Sequence, residues 1–197
     1  MTHKNNSFTD PRIIRTRLLI KDAFVELLQK MDIDKMSVSR IANRATISRV
    51  TFYLHYRDIP DMLEKLADEM IEDIQQATNI QTIAMDSVKD ADYLKLVRLL
   101  EHIAEHADFY KVTLGSRKAP IFTERLLNML TDTITQRFED VRDDPSNDKR
   151  EVKKEIAIWY GSSALIGTIV AWLKNDMPYT PHFLAKQFYL LNAHRQT

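Results

Sequence analysis

The strongest local signal in the chain lies in residues 37–56, SVSRIANRATISRVTFYLHY. Ser37 and Ser48 each precede a short run with helical spacing of apolar residues, and serine is favoured as the N-cap of a helix. Between the two runs, residues 46–47 predict a turn. The stretch therefore predicts two short capped helices joined by a turn. The apolar side chains available to pack these helices together are Val38, Ile41, Ala42, Ile47, Val50 and Phe52.

Two short helices with a tight turn between them have the geometry of a helix-turn-helix. In that motif the first helix supports the second, and the second enters the DNA major groove with its N-terminal side chains at the base edges. An ordinary helical hairpin has the same spacing, so the pattern alone leaves both interpretations open. The side chains that the pattern leaves facing outward are Ser39, Arg40, Ser48, Arg49 and Thr51.

The charge of the chain is unevenly distributed, although its formal net charge is zero. Residues 1–60 contain 11 Lys and Arg against 6 Asp and Glu, whereas residues 61–197 contain 17 against 22. A basic N-terminal module on an acidic body indicates a partner that carries negative charge, and nucleic acid is the first candidate.

Helical spacing of apolar residues continues outside this stretch, and no segment shows the sustained alternation of a strand. The second short helix is predicted over about residues 49–55, and longer helices begin at Pro11 and Pro60. Residues 1–10 are predicted to be an arm, and residues 143–148 an acidic loop. The sequence therefore predicts an all-α fold. The remaining helices are predicted at about residues 91–107, 119–141, 149–174 and 181–194.

The composition argues against several classes of function. The 197 residues include 44% apolar residues, three glycines and no cysteine. Without cysteine there is no thiolate zinc site and no cysteine nucleophile, and so few glycines argue against a glycine-rich phosphate loop. We find no set of side chains with the spacing of a catalytic site, so an enzyme is not expected. The polar N-terminus lacks the apolar core of a signal peptide, which predicts a cytoplasmic protein.

Residues 17–63 resemble the DNA-binding region of TetR-family transcriptional regulators. The matching segments are AFVEL at residues 23–27, Ile41-Ala42, and ATISRVTFYLHY at residues 45–56. Thr46 stands where the family usually has a turn glycine, which predicts a less left-handed backbone there. Ile59 stands where a phosphate-binding lysine is common, and Arg57 is the nearby cation.

The resemblance implies roles for individual side chains. Arg49, Val50 and Thr51 match recognition-helix positions that meet base edges, where arginine pairs with guanine and apolar groups contact the thymine methyl. Tyr53 and His55 match positions that hydrogen-bond backbone phosphates. The remaining candidates for DNA contacts are Ser37, Ser39 and Arg40 at the start of the supporting helix, together with Ser48 and Arg57.

The resemblance also implies a domain plan and partners. Residues 8–58 would form the DNA-binding domain, and residues 59–197 a helical domain for effector binding and dimerisation. The segment AWLKNDMP at residues 171–178 is similar to one C-terminal subtype of AcrR/TetR-like regulators. The implied partners are a palindromic DNA operator, a second copy of the chain, and an unidentified small molecule or partner protein. A regulator that acts mainly through a partner protein is the alternative.

Two sets of residues are candidates for these roles in the larger domain. An effector cavity would be lined by some of the concentrated aromatic side chains, although plain core residues have the same pattern. A dimer interface is expected where small residues recur every four positions on one helix and apolar residues line the next. The cavity candidates are Phe109, Tyr110, Trp159 and Tyr160, and the interface candidates are Ser163, Gly167, Ala171, Phe183, Leu184, Phe188 and Leu191.

Two further patterns have alternative explanations. Residues 156–173 lack charged side chains, a pattern typical of a membrane span or of a buried or subunit-interface helix. The small polar residues within them favour the buried or interface helix. His102 and His106 are four positions apart, as in some metal sites, but no third ligand is identifiable. We therefore expect no metal, no cofactor and no membrane partner.

Overall fold

The computed structural model describes residues 10–79, 88–115, 118–140 and 153–193. These residues form nine α-helices and no strand, which confirms the all-α fold. The predicted arm before residue 10, the acidic loop at 143–148 and the predicted helix start at 149 lie outside the described residues. The helices are α1 (Pro11–Lys30), α2 (Val38–Arg44), α3 (Arg49–Tyr53), α4 (Ile59–Thr78), α5 (Val88–Glu105), α6 (Ala107–Thr113), α7 (Pro120–Asp140), α8 (Lys154–Lys174) and α9 (Pro181–Ala193).

One helix break differs from the prediction of a single helix over residues 91–107. The helix α5 ends at Glu105, and a separate helix, α6, begins at Ala107. His106 leaves the helical conformation, with φ −110° and ψ 32°. The carbonyl of His106 accepts the N–H groups of Phe109 and Tyr110, so it starts a new helix. Neither glycine nor proline marks this break, which is why the sequence pattern runs through it.

Packing divides the chain into two compact units, one up to Ala67 and one from Asp68. The sequence places the boundary at residue 59, and α4 does begin there. The division falls later, inside α4, so Met62 and Leu66, which are buried in its first turns, belong to the first unit. The helix α4 is therefore a continuous element that contributes to both units.

The first unit has one apolar core, on which α2 and α3 are mounted. Its members lie on the inner faces of α1, α2 and α3, and their burial provides most of the stabilisation of a small helical module. An ion pair between Arg44 and Glu26 joins α2 to α1 at the surface. The fully buried side chains of this core include Ile20, Phe24, Leu28, Ile41, Ala42 and Phe52.

The turn after α2 has the hydrogen bonds of a Schellman motif. The N–H of Ile47 donates to the carbonyl of Ala42 at 2.9 Å, and the N–H of Thr46 donates to that of Asn43 at 3.2 Å. Thr46 has φ 56°, so the expectation of a less left-handed backbone is wrong. The two hydrogen bonds satisfy carbonyls at the helix end, and they require the left-handed conformation even from a β-branched residue.

Replacing Thr46 by glycine is expected to stabilise the first unit by about 1 kcal/mol, because glycine adopts positive φ without a Cβ penalty. The gain is reduced by the greater freedom of glycine in the unfolded chain. Denaturant unfolding of the wild type and the variant measures the difference. Thr46→Ala is the matched control, since alanine keeps a Cβ at the same exposed position. If the glycine variant is no more stable than the alanine variant, the positive φ of Thr46 carries no Cβ penalty.

In the second unit, α7 packs on α8, α5 packs on α9, and α6 lies against α5, α7 and α8. Its core contains an edge-to-face pair of the Phe109 and Phe122 rings, whose centroids are 5.4 Å apart. An ion pair between Arg137 Nε and Asp92 Oδ2, 2.8 Å apart, joins α7 to α5. These contacts fix the helices that carry the residues of the second unit considered below.

The corner between α8 and α9 is held by three contacts at 2.9 Å. The N–H of Met177 donates to the carbonyl of Trp172, and the indole Nε1 of Trp172 donates to the carbonyl of Tyr179. Lys111 Nζ donates to Asp176 Oδ1. Asp176 and Met177 both have positive φ, so this corner has a defined conformation that fixes where α9 begins.

Candidate nucleic-acid interface

Both predicted N-caps are confirmed. The N–H of Arg40 donates to Ser37 Oγ at 3.3 Å, which caps α2. The N–H of Thr51 donates to Ser48 Oγ at 3.0 Å, which caps α3. Each bond satisfies a backbone donor that the helix itself leaves without a partner. The two serines therefore fix where the two short helices start.

Four side chains that lie on one side of the helix form the outward face of α3. Arg49 is exposed, and Val50, Tyr53 and the next residue, Leu54, are 71%, 49% and 78% exposed. Val50 therefore does not pack between α2 and α3 as the sequence pattern predicts. Thr51 is half-buried, and its hydroxyl lies 2.8 Å from Ser48 Oγ. Thr51 therefore contacts the capping serine and is not part of the outward face.

The inner face of α3 is anchored by aromatic side chains. Phe52 is fully buried, and its ring centroid lies 5.6 Å from that of Tyr56, which is also buried. The ammonium of Lys65, on α4, lies 5.5 Å from the Tyr56 ring centroid and donates to the carbonyl of His55 at 3.1 Å. These contacts hold the C-terminal end of α3 in the orientation that leaves its outward face exposed.

The polar side chains of this surface are arranged around α3. Arg49 Nη2 donates to Tyr53 Oη at 3.5 Å, a long contact that places the guanidinium beside the phenol hydroxyl. Arg40 is exposed, and its Nη1 lies 3.4 Å from Met31 Sδ. Ser37 is exposed at the start of α2, whereas Ser39 is half-buried.

Arg57 is positioned by a carboxylate. Its Nε and Nη2 donate to Asp61 Oδ1 at 3.2 and 3.1 Å, and Lys65 Nζ donates to Asp61 Oδ2 at 3.0 Å. The backbone N–H of Arg57 and the ammonium of Lys65 lower the pKa of Asp61 to about 2, so this carboxylate is ionised at neutral pH. A phosphate that contacts Arg57 would have to share it with Asp61.

His55 is half-buried beside two cations. Burial, followed by the charges of Arg17 and Lys65, lowers the pKa of His55 from its ordinary value of 6.5. The imidazole is therefore neutral in the free protein at pH 7. A DNA phosphate placed against it would reverse the effect of the two cations and raise its pKa.

If His55 contacts a phosphate, DNA affinity is expected to rise as the pH falls from about 7.5 to about 5.5, because the complex then binds more protons than the free protein. Titrations of one DNA duplex across this pH range measure the slope. His55→Gln removes the titrating group and is expected to flatten it. The same slope in both proteins would place His55 away from the phosphates.

The four cavity candidates do not form one enclosed site within a single chain. Phe109 and Tyr110 are buried, with ring centroids 5.4 Å apart, whereas Trp159 is 66% exposed and Tyr160 is also exposed. Burial, with a smaller contribution from Asp73, raises the pKa of Tyr110, so its phenol stays neutral. His102 Nε2 lies within hydrogen-bond distance of Tyr110 Oη, at 3.0 Å. The imidazole of His102 therefore contacts this phenol and not His106 alone.

Most of the interface candidates lie on exposed apolar faces of α8 and α9. Ser163, Gly167 and Ala171 are exposed at successive turns of α8, and Ile156, Trp159 and Tyr160 extend the same stripe. On α9, Phe183 and Leu191 are exposed and Phe188 is half-buried. Leu184 is buried within the chain, so it belongs to the core and not to a surface that a second copy could contact.

Comparison with known proteins agrees with this arrangement of a helix-turn-helix unit and a larger helical unit. A TetR C-terminal family model, described as a transcriptional regulator C-terminal region, matches residues 92–193, slightly more than half of the chain. The chain belongs to the TetR family of transcriptional regulators. Membership of this family makes the exposed face of α3 the candidate surface for DNA.

Individual relatives of this TetR-family chain are distant. An uncharacterized HTH-type transcriptional regulator, YxbF of Bacillus subtilis, is 22% identical over 91% of this chain, which spans 45% of that protein. The fatty acid degradation regulator FadR from Bacillus halodurans has a similar fold, with TM-score 0.68, 16% identity, and coverage of 93% and 95% of the two chains. A TetR transcriptional regulator from Streptococcus agalactiae gives TM-score 0.66, 23% identity, and coverage of 95% and 98%.

Proposed function

We propose that the protein binds a palindromic DNA operator as a homodimer and represses transcription. The observation that carries this proposal is the outward face of α3, where Arg49, Val50, Tyr53 and Leu54 are exposed on a helix fixed by a cap and a buried aromatic anchor. Arginine and tyrosine supply donors for base edges and phosphates, and apolar groups supply contacts with the thymine methyl. In a two-fold dimer the two recognition helices would lie about 34–36 Å apart, one turn of DNA.

The exposed apolar faces of α8 and α9 support dimerisation. A stripe of small and apolar residues along α8, from Ile156 to Ala171, is costly to leave in water and suits close approach of another helix. The window of mean hydropathy 1.6 within α8 is also long enough to cross a membrane. The opposite side of α8 packs on α6 and α7, and its buried residues include Ile158, Ser162 and Trp172. We therefore assign α8 to the core and a subunit interface of a cytoplasmic protein.

The test of DNA binding is selection of bound sequences from a random duplex pool by the pure protein. A two-fold symmetric sequence is expected, with affinity that falls steeply with salt because phosphate contacts release counterions. Enrichment of no sequence at any salt concentration would contradict the proposal. Enrichment of a single, non-palindromic site would contradict the dimer but not DNA binding.

We propose further that an apolar effector releases the DNA. The buried rings of Phe109, Tyr110 and Phe122 give the second unit an apolar interior, where such a ligand could take the place of side chains in the core. The helix α4 contributes residues to both units. Fatty acids are the first compounds to test, given the name of the fatty acid degradation regulator FadR. A true effector is expected to lower operator affinity about 5- to 150-fold, and operator DNA must weaken the effector by the same factor. A ligand that binds tightly without this reciprocal effect is not the inducer.

A further inference from the structure

The start of α4 contains an anion site, and a carboxylate of the same chain occupies it. Asp61 accepts the backbone N–H of Arg57 at 2.9 Å and two donors of its guanidinium, Nε at 3.2 Å and Nη2 at 3.1 Å. On the other side, Lys65 Nζ donates to Asp61 Oδ2 at 3.0 Å. A backbone N–H, a guanidinium and an ammonium are also the groups with which proteins bind phosphate.

The two cations of this site differ in how easily another anion can reach them. The side chain of Arg57 is 85% exposed, whereas that of Asp61 is only 8% exposed. Lys65 is held by further contacts, because its ammonium donates to the carbonyl of His55 and lies 5.5 Å from the Tyr56 ring centroid. Arg57 is therefore the cation that an external anion can reach, while the carboxylate that holds it lies beneath the surface.

We propose that Asp61 competes with DNA phosphate for Arg57, so that the chain binds every duplex less tightly than its cations alone would allow. The inference rests on the proposed function, and it gives a role to Asp61, to which the sequence analysis assigns none. The external anion is a backbone phosphate, because Arg57 follows the end of α3, the helix of the proposed DNA surface, by four residues.

The competition has a definite direction. The hydrogen bonds from Arg57 and Lys65 hold the pKa of Asp61 at about 2, so the carboxylate is charged whenever DNA binding is measured. A phosphate that takes Arg57 from Asp61 must replace two guanidinium hydrogen bonds, and a phosphate that shares Arg57 lies close to a second anion. Two like charges about 7 Å apart in water repel each other enough to lower binding about threefold. Both routes therefore lower DNA affinity.

Asp61 also has structural contacts at the start of α4. Its N–H donates to Asp58 Oδ1 at 2.8 Å, and its carboxylate accepts the N–H of Arg57, a reciprocal pattern like that of a capping box. If this were the whole role of Asp61, its substitution would loosen the start of α4 and weaken DNA binding. Competition with phosphate predicts stronger binding, so the sign of the change separates the two roles.

The experiment titrates the full-length wild type and Asp61→Asn with a random-sequence duplex and with the duplex enriched from the pool, at several salt concentrations. Asparagine keeps a side-chain oxygen that can accept the N–H of Arg57, and it removes the charge. The variant is expected to bind both duplexes about threefold more tightly per subunit at low salt. The gain is expected to shrink as salt rises, because screening weakens the repulsion and a freed cation steepens the salt dependence.

Two further proteins separate competition for Arg57 from a change in net charge. Asp22→Asn is the matched control, because Asp22 is an exposed carboxylate on α1 and its loss changes the net charge by the same amount. Its gain in affinity is expected to be smaller than that of Asp61→Asn. In an Arg57→Ala background, Asp61→Asn is expected to lose most of its gain, since the guanidinium for which the anions compete is gone.

The outcomes distinguish this inference from the proposed function. Equal or weaker binding of both duplexes by a folded Asp61→Asn variant would overturn the competition, while binding by the wild type would leave the proposed function standing. A gain of the same size in Asp22→Asn, or in the Arg57→Ala background, would also overturn it, because net charge alone would then explain the effect. Thermal midpoints report folding, and Asp61→Ser, whose hydroxyl also accepts a backbone N–H, replaces Asp61→Asn if that variant does not fold. If the wild type binds neither duplex at any salt concentration, the proposed function fails, and this inference fails with it.

Discussion

Gly167→Leu is expected to convert the proposed dimer into monomers at micromolar concentration and to abolish tight operator binding. Gly167 is exposed on α8, between Ser163 and Ala171, where a partner helix can approach closely. A leucine there would overpack the contact by about 1–3 kcal/mol, and two-fold symmetry places both copies of the change in one interface. Sedimentation equilibrium measures the mass, and an operator titration measures the loss of the second half-site.

The same substitution is expected to leave the isolated subunit intact. Among the described residues, a Cβ at Gly167 would meet no atom within 4 Å beyond the neighbouring backbone of its own helix. Leucine is also the better helix former by almost 1 kcal/mol. The thermal midpoint of the monomer therefore reports whether the effect is confined to the interface. Glu124→Leu, at an exposed position of α7, is the size-matched control and is expected to remain dimeric. A wild-type monomer at micromolar concentration, or a dimeric Gly167→Leu variant, would reject this interface.

Sequence reasoning succeeded where the determining interactions are local. Ser37 and Ser48 cap helices through bonds to backbone groups three residues away, and such bonds depend on little beyond the residue type and the start of the apolar pattern. It failed at Thr46, because residue preference favours glycine there while the Schellman hydrogen bonds impose the positive φ regardless. The break at His106 has no local marker, since neither glycine nor proline lies at it.

Burial was the second quantity that the sequence could not supply. Trp159 and Tyr160 have the composition of a core or a cavity wall, yet both are exposed. Residue type alone does not separate a buried core from an exposed apolar face such as the proposed interface, because both are rich in apolar residues. Leu184 was expected at the dimer interface, but it is buried within its own chain. Val50 was expected to pack between α2 and α3 because it is apolar, yet it is 71% exposed. Leu54, which the sequence analysis places on neither face, continues the i, i+4 line from Val50 and is exposed too.

Arg49→Ala is expected to cost about 1–3 kcal/mol of binding free energy for each half-site and to remove the preference for one base pair there. The guanidinium is exposed at the start of α3, and its contact with Tyr53 Oη at 3.5 Å favours one direction of the side chain before DNA arrives. Such ordering lowers the entropy lost when the two-donor fork meets guanine. Titrations against the operator and against duplexes changed at each position locate the base pair.

Arg49→Lys is the matched variant, because lysine keeps the charge and loses the fork. It is expected to bind scrambled DNA as the wild type does and to lose discrimination at the same base pair as Arg49→Ala. Arg57→Ala is expected to give the opposite pattern, because its guanidinium is held by Asp61 beside the helix and we expect it to contact phosphate rather than a base. That change should weaken all sequences about equally and reduce the salt dependence by about one phosphate contact. If Arg49→Ala keeps the full base preference of the wild type, another side chain reads that position and the assignment of Arg49 is wrong.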